Sequence, residues 1–568
     1  MNFVRKNFRK INVAFFVLFL IVTIMLCILQ QMADIHYRLF NLSKASQKLI
    51  LFGFVIYIVN WLRLNYKYER NCNTEKNKGK MIGLSILFAL GSCLYYVMNY
   101  VGKTYGKIPM SQIMYHLNAP LEGTNMGTFS GAIFLGIFVV ILAIVAVYVG
   151  YNILNKFKLS KGYFAWMFTL GLMILVYDIA WIERYFEITN YYRFTHEKTT
   201  LYEECYVDAR DIDLTFPEKK RNLIYIYMES METSFTSKEN GGAMQENYIP
   251  ELTELAKEGE CFAHDGNING AYTMDGSTYT AAALVSQTAG IPIHPNFISN
   301  QTVNDNNAKL DDTFLPGVWN LGDILNAQGY NQKFLIGSDK TFGGRDTYFT
   351  SHGNYEIFDY YSAIEEGKIA DDYKVWWGYE DKKLFSYAKE ELLELAEQDK
   401  PFNFTVLTVD THFTDGYYCE DCGNAFDTQY ANVLACSSKK VYEFVRWIQE
   451  QDFYDNTTIV LAGDHLTMDE KFMISQNAEK FDRNTYVSII NGDAAVEEVK
   501  ERKYTTLDLF PTTLAAMGVD IEGERLGLGV NLYSTEETLL EEYGYKKLNE
   551  EMQKNSDYYS ETLLYAKN

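Results

Sequence analysis

Three apolar runs in this sequence end in groups that can bind or move charge: Leu223–Met228 runs into Glu229-Ser230, Phe404–Val409 into Asp410-Thr411-His412, and Thr458–Ala462 into Gly463-Asp464-His465. Carboxylate oxygens and imidazole nitrogens brought to one place are what a divalent-metal site requires. A fourth segment, Asp275-Gly276-Ser277-Thr278-Tyr279-Thr280 followed by Ala281–Ala283, reads as a turn entering a helix. A hydroxyl at a helix amino terminus meets unpaired backbone N–H groups and the positive end of the dipole, which favour an alkoxide and a bound phosphate. Taken singly, a histidine at a strand end is more often a hydrogen-bonded residue, and a Ser or Thr before a helix is an ordinary cap. Their shared placement at the ends of strands is what points to a metal site.

The elements that must carry these residues are short apolar runs rich in β-branched and aromatic side chains: Leu223–Met228, Lys333–Ile336, Phe404–Val409, Thr458–Ala462 and Tyr486–Ile490. Between them lie helix-like stretches at Pro250–Glu258, Thr280–Gln287, Pro316–Gln328, Lys382–Gln398 and Ser437–Gln451. Strands alternating with helices predict a mainly parallel sheet flanked by helices on both faces. Ligands bind such sheets beyond the carboxyl ends of the strands, where the residues named above stand.

The 568 residues carry 51 Lys and Arg against 73 Asp and Glu, a net charge of −22. That balance argues against a nucleic-acid partner, which needs a cationic footprint. The charge is unevenly placed: residues 1–190 hold 19 basic and 7 acidic side chains, and residues 191–568 hold 32 and 66. The first part contains five apolar runs, Ile11–Leu29, Ile50–Leu64, Met81–Met98, Gly131–Tyr151 and Tyr163–Ile182. About 20 apolar residues span a bilayer as a helix, so five transmembrane helices are expected over residues 1–183. Lys and Arg stay on the cytoplasmic side, and the alternate loops hold 12 of them against 5. The amino terminus is therefore expected inside and everything after about residue 183 outside. An aromatic juxtamembrane linker (184–220), an extracellular α/β domain (221–535) and a charged, helix-like tail (536–568), expected as a solvated surface helix, complete the organisation.

The ordered set Met228-Glu229-Ser230, Gly276-Ser277-Thr278, Gly343-Gly344-Arg345, Thr411-His412-Phe413 and Gly463-Asp464-His465, after apolar helices, resembles the lipoteichoic acid synthase and phosphoglycerol transferase I family of the alkaline phosphatase and sulfatase superfamily. The segments Tyr248–Gly259 and Leu507–Gly518 agree with it. The resemblance implies an alkaline phosphatase/sulfatase-like fold. It also implies a divalent cation, Mn²⁺ by family, held by Glu229, Thr278, Asp464 and His465, with Thr278 as nucleophile and Thr280 the alternative. His412 and Arg345 would bind the phosphoglycerol group, Arg345 by paired hydrogen bonds.

The implied reaction moves sn-glycerol-1-phosphate from phosphatidylglycerol to a glycan or glycerophosphate-polymer acceptor and releases diacylglycerol. Where the synthases have Phe-Trp-Asn-Arg this chain reads Phe342-Gly343-Gly344-Arg345, without the tryptophan, and Ser286–Pro292 is closer to the phosphoglycerol transferase I branch. The rival readings are a phosphoethanolamine transferase, a sulfatase, and a catalytically silent membrane-anchored binding protein. A sulfatase needs a Cys or Ser in a Cys/Ser-x-Pro-x-Arg context, and none surrounds Thr278.

Five cysteines lie in the outer part, Cys205, Cys261, Cys419, Cys422 and Cys436. Cys419-x-x-Cys422 fits a redox pair or half a zinc site, with no second CxxC to complete one. The first expectation is a local disulfide, 419–422 or one of the two with Cys436, in a compartment that permits it. His116, His264, His294 and His352 are read as structural.

Overall fold

In this computed structural model the described residues are 77–104, 108–118, 127–156, 162–263, 268–294, 314–494 and 502–564. The apolar runs Ile11–Leu29 and Ile50–Leu64, and His264, lie outside them. The chain divides into two compact units, one of residues 1–103 and 126–188, the other of 104–125 and 189–568.

In the first unit, α1 (Lys78–Thr104), α3 (Gly127–Lys156) and α4 (Tyr163–Phe186) form where the last three apolar runs were read. Among the described residues these three helices are long and apolar enough to cross a membrane. Phe134, Ile137, Phe138 and Ile141 of α3 are more than half exposed. A helix with large apolar side chains turned outward matches a lipid environment rather than water. Between α1 and α3 in sequence lies α2 (Met110–Asn118), which belongs to the second unit.

The second unit is built on a seven-stranded sheet: β1 (Asn222–Met228), β2 (Gly270–Ala271), β3 (Asn331–Ile336), β4 (Glu356–Phe358), β5 (Phe402–Leu407), β6 (Thr457–Gly463) and β7 (Thr485–Ile490), in the order β2-β7-β6-β1-β5-β3-β4. The five strands from β6 to β4 are parallel, and β7 runs antiparallel to both β6 and β2. All seven residues of β1 are buried. Leu223, Tyr225 and Tyr227 enter one core cluster, while Ile224, Ile226 and Met228 enter the other. The side-chain period of two thus survives even though the run is continuously apolar, because both faces are covered. The first face is covered by α6 (Thr280–Ala289), α7 (Leu321–Ala327) and the helix Leu509–Ala516. The second is covered by α5 (Pro250–Glu258), α8 (Asp381–Ala396) and α9 (Gln429–Gln449).

The expected strands all form, and the differences are local. β2 and β4, of two and three residues, were not foreseen, since so short a run shows no period. α7 starts at Leu321, five residues after the expected Pro316, because Asn320 and Asp323 close a capping box there. α9 starts at Gln429 rather than Ser437, where the Thr428 hydroxyl accepts from the N–H of Ala431. The tail read as a solvated helix is broken into shorter helical segments whose Leu548, Met552, Tyr559 and Leu563 are at most 1% exposed. Tyr559 packs edge-on to Tyr202, so both ends of the segment 189–568 join one core.

Candidate active site

Register sets the site. Tyr227 pairs with Leu407 and Met228 with Gly463 across the three central strands. The residues just past those pairs, Glu229, Thr408 and Asp464, are therefore neighbours. Their backbones are stitched together: the N–H of Asp464 donates to the Met228 carbonyl at 3.2 Å and the N–H of Glu229 to the Thr408 hydroxyl at 3.0 Å. Gly463 is required at this crossing, since a Cβ there would lie 1.9 Å from the carbonyl oxygen of Met231.

Glu229, Asp464 and His465 converge as buried groups whose ligand atoms lie within 4.8 Å of one another. Asp464 Oδ1 accepts from the N–H groups of Ser230 (2.8 Å) and His465 (2.7 Å), whereas its Oδ2 is buried without a hydrogen-bond partner among the described residues. The Nδ1–H of His465 donates to the Leu466 carbonyl at 2.9 Å, because a carbonyl can only accept. That tautomer leaves the Nε2 lone pair 3.5 Å from Glu229 Oε1 and from Asp464 Oδ2. A histidine fixed through one nitrogen with the other directed at carboxylates is how a metal-binding imidazole is prepared. Burial, and then the charge of Glu229, push the Asp464 carboxyl up to about 7. Two buried carboxylates with one unpartnered oxygen fit a cation, which relieves both repulsion and desolvation.

The two threonines separate here. Tyr279 is the extended residue that caps α6, and Thr280 is the first residue of the helix. Thr280 Oγ1 lies 3.4 Å from Glu229 Oε2 and 3.5 Å from His465 Nε2. Thr278, expected as nucleophile and metal ligand, instead donates its hydroxyl to Gln112 Oε1 at 3.2 Å. The helix-terminus argument belongs to the residue that begins the helix, two positions later than the expectation placed it.

One cavity is lined by Glu229, Thr280, Phe342, Arg345, Trp377 and His412, so the expected phosphate-binding residues face the threonine and its carboxylate. Arg345 follows Gly343 and Gly344, whose φ of 69° and 73° are left-handed conformations that glycine adopts without strain. Its guanidinium donates to the Asp339 carbonyl at 2.6 Å, while its buried Nε has no partner among the described residues. Burial lowers it to about 10, so it remains a cation at neutral pH. Burial also lowers His412 to about 4, leaving the ring neutral, with its Nδ1–H donated to the Phe413 carbonyl at 2.8 Å. Its Nε2 is therefore an acceptor, suited to a hydroxyl.

The reading from sequence missed several residues. Trp377 lines the cavity, its ring 4.7 Å from His412 and 5.8 Å from Phe342. The pair Trp376-Trp377 carried no signal beyond its composition. Helix α2 brings Gln112 to Thr278, Ser111 to the Asp275 carboxylate and the Tyr115 hydroxyl to the Gly343 carbonyl at 2.7 Å. Nothing in sequence linked a segment between two apolar helices to residues 164 to 228 positions later. Asp410, foreseen at the strand-end cluster, turns away and accepts from the N–H of Asp381 and the Lys440 ammonium. His294 and His352 are buried and bonded to the Lys554 and Phe314 carbonyls.

The family model described as Sulfatase matches residues 221–519. Phosphoglycerol transferase I of Escherichia coli O6:K15:H31 is 32% identical over 324 residues, 56% of this chain and 39% of the relative; the protein of the same name from Shigella boydii serotype 18 matches to the same extent. The chain thus spans about two fifths of the length of these curated relatives. Among solved structures, the lipoteichoic acid synthase LtaP from Listeria monocytogenes is 15% identical, with a TM-score of 0.41, covering 58% of this chain and 82% of that one. The lipooligosaccharide phosphoethanolamine transferase A from Neisseria meningitidis is 14% identical, with a TM-score of 0.45, covering 78% of this chain and 84% of that one.

Proposed function

From the premise that this chain belongs to the sulfatase family, we propose that it is a membrane-anchored phosphotransferase that moves sn-glycerol-1-phosphate from phosphatidylglycerol to an extracytoplasmic acceptor hydroxyl, with Thr280 as the nucleophile. The observation that carries this reading is the Thr280 hydroxyl, at the head of α6 and within 3.5 Å of both Glu229 and His465, in a cavity that also holds Arg345 and His412. The name phosphoglycerol transferase I on relatives at 32% identity supports the choice of donor. Sulfate ester hydrolysis is disfavoured, because no Cys/Ser-x-Pro-x-Arg context surrounds Thr278 or Thr280.

Glu229, Thr280, Asp464 and His465 would hold the divalent cation, whose Lewis acidity lowers the pKa of the threonine hydroxyl. Their mainly oxygen donors, two carboxylates and a hydroxyl, suit Mn²⁺. Thr280 Oγ gives up its proton to water and forms a bond to the donor phosphorus, the bond to the diacylglycerol oxygen breaks, and that oxygen takes up a proton from water as diacylglycerol leaves. Arg345 places charge on the phosphate oxygens. In the second step the acceptor hydroxyl loses its proton to water and its oxygen bonds to phosphorus, the Thr280–phosphorus bond breaks, and the threonine regains a proton from water. The neutral His412 accepts a hydrogen bond from a glycerol or acceptor hydroxyl at Nε2 and so orients it. The apolar helices would anchor the chain in the bilayer that contains the donor lipid.

The test uses the full chain in phosphatidylglycerol vesicles with Mn²⁺. Thr280→Ala should release no diacylglycerol and carry no glycerophospho adduct by peptide mass spectrometry, while Thr278→Ala retains turnover. An active Thr280→Ala protein overturns the assignment, and turnover of phosphatidylethanolamine in preference to phosphatidylglycerol replaces the donor.

A further inference from the structure

Away from the catalytic cavity, three cysteines gather where the loop after β5 meets α9. Cys419, Cys422 and Cys436 are 4%, 5% and 8% exposed and are free thiols, not the local disulfide anticipated from their spacing. Cys419 Sγ lies 3.5 Å from Cys422 Sγ and 3.7 Å from Cys436 Sγ, and all three sulfurs fall within 4.8 Å of one another. Thiolates about 2.3 Å from a tetrahedral zinc ion stand about 3.8 Å apart, so these separations match the edges of such a site.

The backbone prepares the arrangement. The N–H of Cys422 donates to the Cys419 carbonyl at 3.1 Å, closing the Cys-x-x-Cys turn so that two sulfurs share a side, and α9 brings the third. One helical turn beyond Cys436, the Lys440 ammonium lies 3.2 Å from Cys419 Sγ and 2.8 Å from Asp410 Oδ2. A fixed cation against a sulfur offsets the charge that accumulates when thiols ligate as thiolates.

We propose that Cys419, Cys422 and Cys436 form a second metal site, a trithiolate centre for a thiophilic cation of the zinc class, with solvent in the fourth position. Binding releases the thiol protons to water and leaves the metal's oxidation state unchanged. Soft sulfur donors select a different ion from the oxygen and nitrogen donors around Thr280, so the two sites fill independently. The ion ties the loop carrying Cys419 and Cys422 to α9. Through Lys440 and Asp410 it also holds the strand end from which His412 projects.

Cobalt(II) reads the site without reference to activity, since only thiolate ligands give an intense sulfur-to-cobalt charge-transfer band. The full chain in detergent, reduced and stripped of metal, is titrated with Co²⁺ alone. The band should appear with one equivalent in the wild type, in Cys261→Ser and in Asp464→Asn, be displaced by Zn²⁺, and fall to background in Cys436→Ser. A reduced wild type with no band overturns the proposal, as does a disulfide among these three cysteines in protein isolated without reductant. The wild-type titration decides the matter even if the Cys436→Ser protein does not accumulate.

Discussion

At the scale of single residues, Asp464 would link acidity to metal loading at the proposed cation site. Its ordinary carboxyl value of 3.8 is raised to about 7 by burial first and Glu229 second, so in metal-free protein the folded state favours the protonated form. Stability in a chelator should accordingly decline as pH rises from about 4 towards 7, by at most about 1.4 kcal/mol per unit. Thermal shift at graded pH, with and without chelator, measures this, and a metal-free protein more stable at pH 7 than at pH 5 contradicts it. Proton and cation compete for the same oxygen, so half-activation should require close to tenfold more metal for each unit below about 7. At the other wall of the cavity, Trp377→Ala removes the ring beside His412 and Phe342. Loss of that contact should raise KM for the donor about fivefold to tenfold, roughly 1 kcal/mol, with kcat less affected; an unchanged KM would remove Trp377 from the binding surface. That Glu229, Asp464 and His465 converge, and that Arg345 and His412 line one cavity with Glu229, was legible in sequence because each stands next to a strand end or in a motif. Trp377 was not, because its place depends on how distant loops fold back, and Thr280 was ranked second because a two-residue shift at a helix start is invisible without backbone geometry.

At the scale of elements, the parallel strands announced themselves through continuous runs of β-branched and aromatic residues, while the start of α9 was hidden. Residues 429–436 mix polar and small side chains, and only the packing of Tyr430, Val433 and Leu434 shows them to be helix. α9 is also held to β5 and α8 by charge: Lys440 meets Asp410, whose other oxygen accepts from the N–H of Asp381, and Asp381 accepts in turn from the N–H groups of Val409 and Asp410. Burial raises the carboxyls of Asp381 and Asp410, and Lys440 opposes the rise. Lys440→Met leaves buried carboxylates without their cation and should cost about 3 kcal/mol or more at neutral pH. The sign follows from the raised values: protonation neutralises the orphaned acids, so the deficit should shrink as pH falls. A deficit that is the same at pH 5 and pH 7, by thermal or urea unfolding, would show that this charge cluster is not its cause.

At the scale of the whole molecule, the 19 basic and 7 acidic side chains of residues 1–190 contrast with 32 and 66 in residues 191–568. With phosphatidylglycerol as the proposed donor, an acidic catalytic unit would work against its own field, and the proposed roles of Arg345 and a divalent cation would be to attract the phosphate locally. Raising salt from about 0.01 M to 0.15 M shortens the Debye length from about 30 Å to 8 Å and should lower KM for phosphatidylglycerol in vesicles. A KM that rises with salt would mean that long-range attraction, not repulsion, governs the encounter.

The nine residues of α2 bear on heredity and engineering as much as on chemistry. They are encoded between two apolar helices, yet they belong to the compact unit that holds the cavity and set an amide beside Thr278. The catalytic unit is therefore drawn from two separate stretches of the chain. A fragment expressed from residue 189, or released by a protease cutting just before it, would retain Thr280 and its acidic neighbours while losing the bonds that Gln112, Ser111 and Tyr115 make to Thr278, Asp275 and Gly343. A graft onto another anchor would have to transplant both pieces, which ties the inheritance of the catalytic unit to that of its own membrane segment.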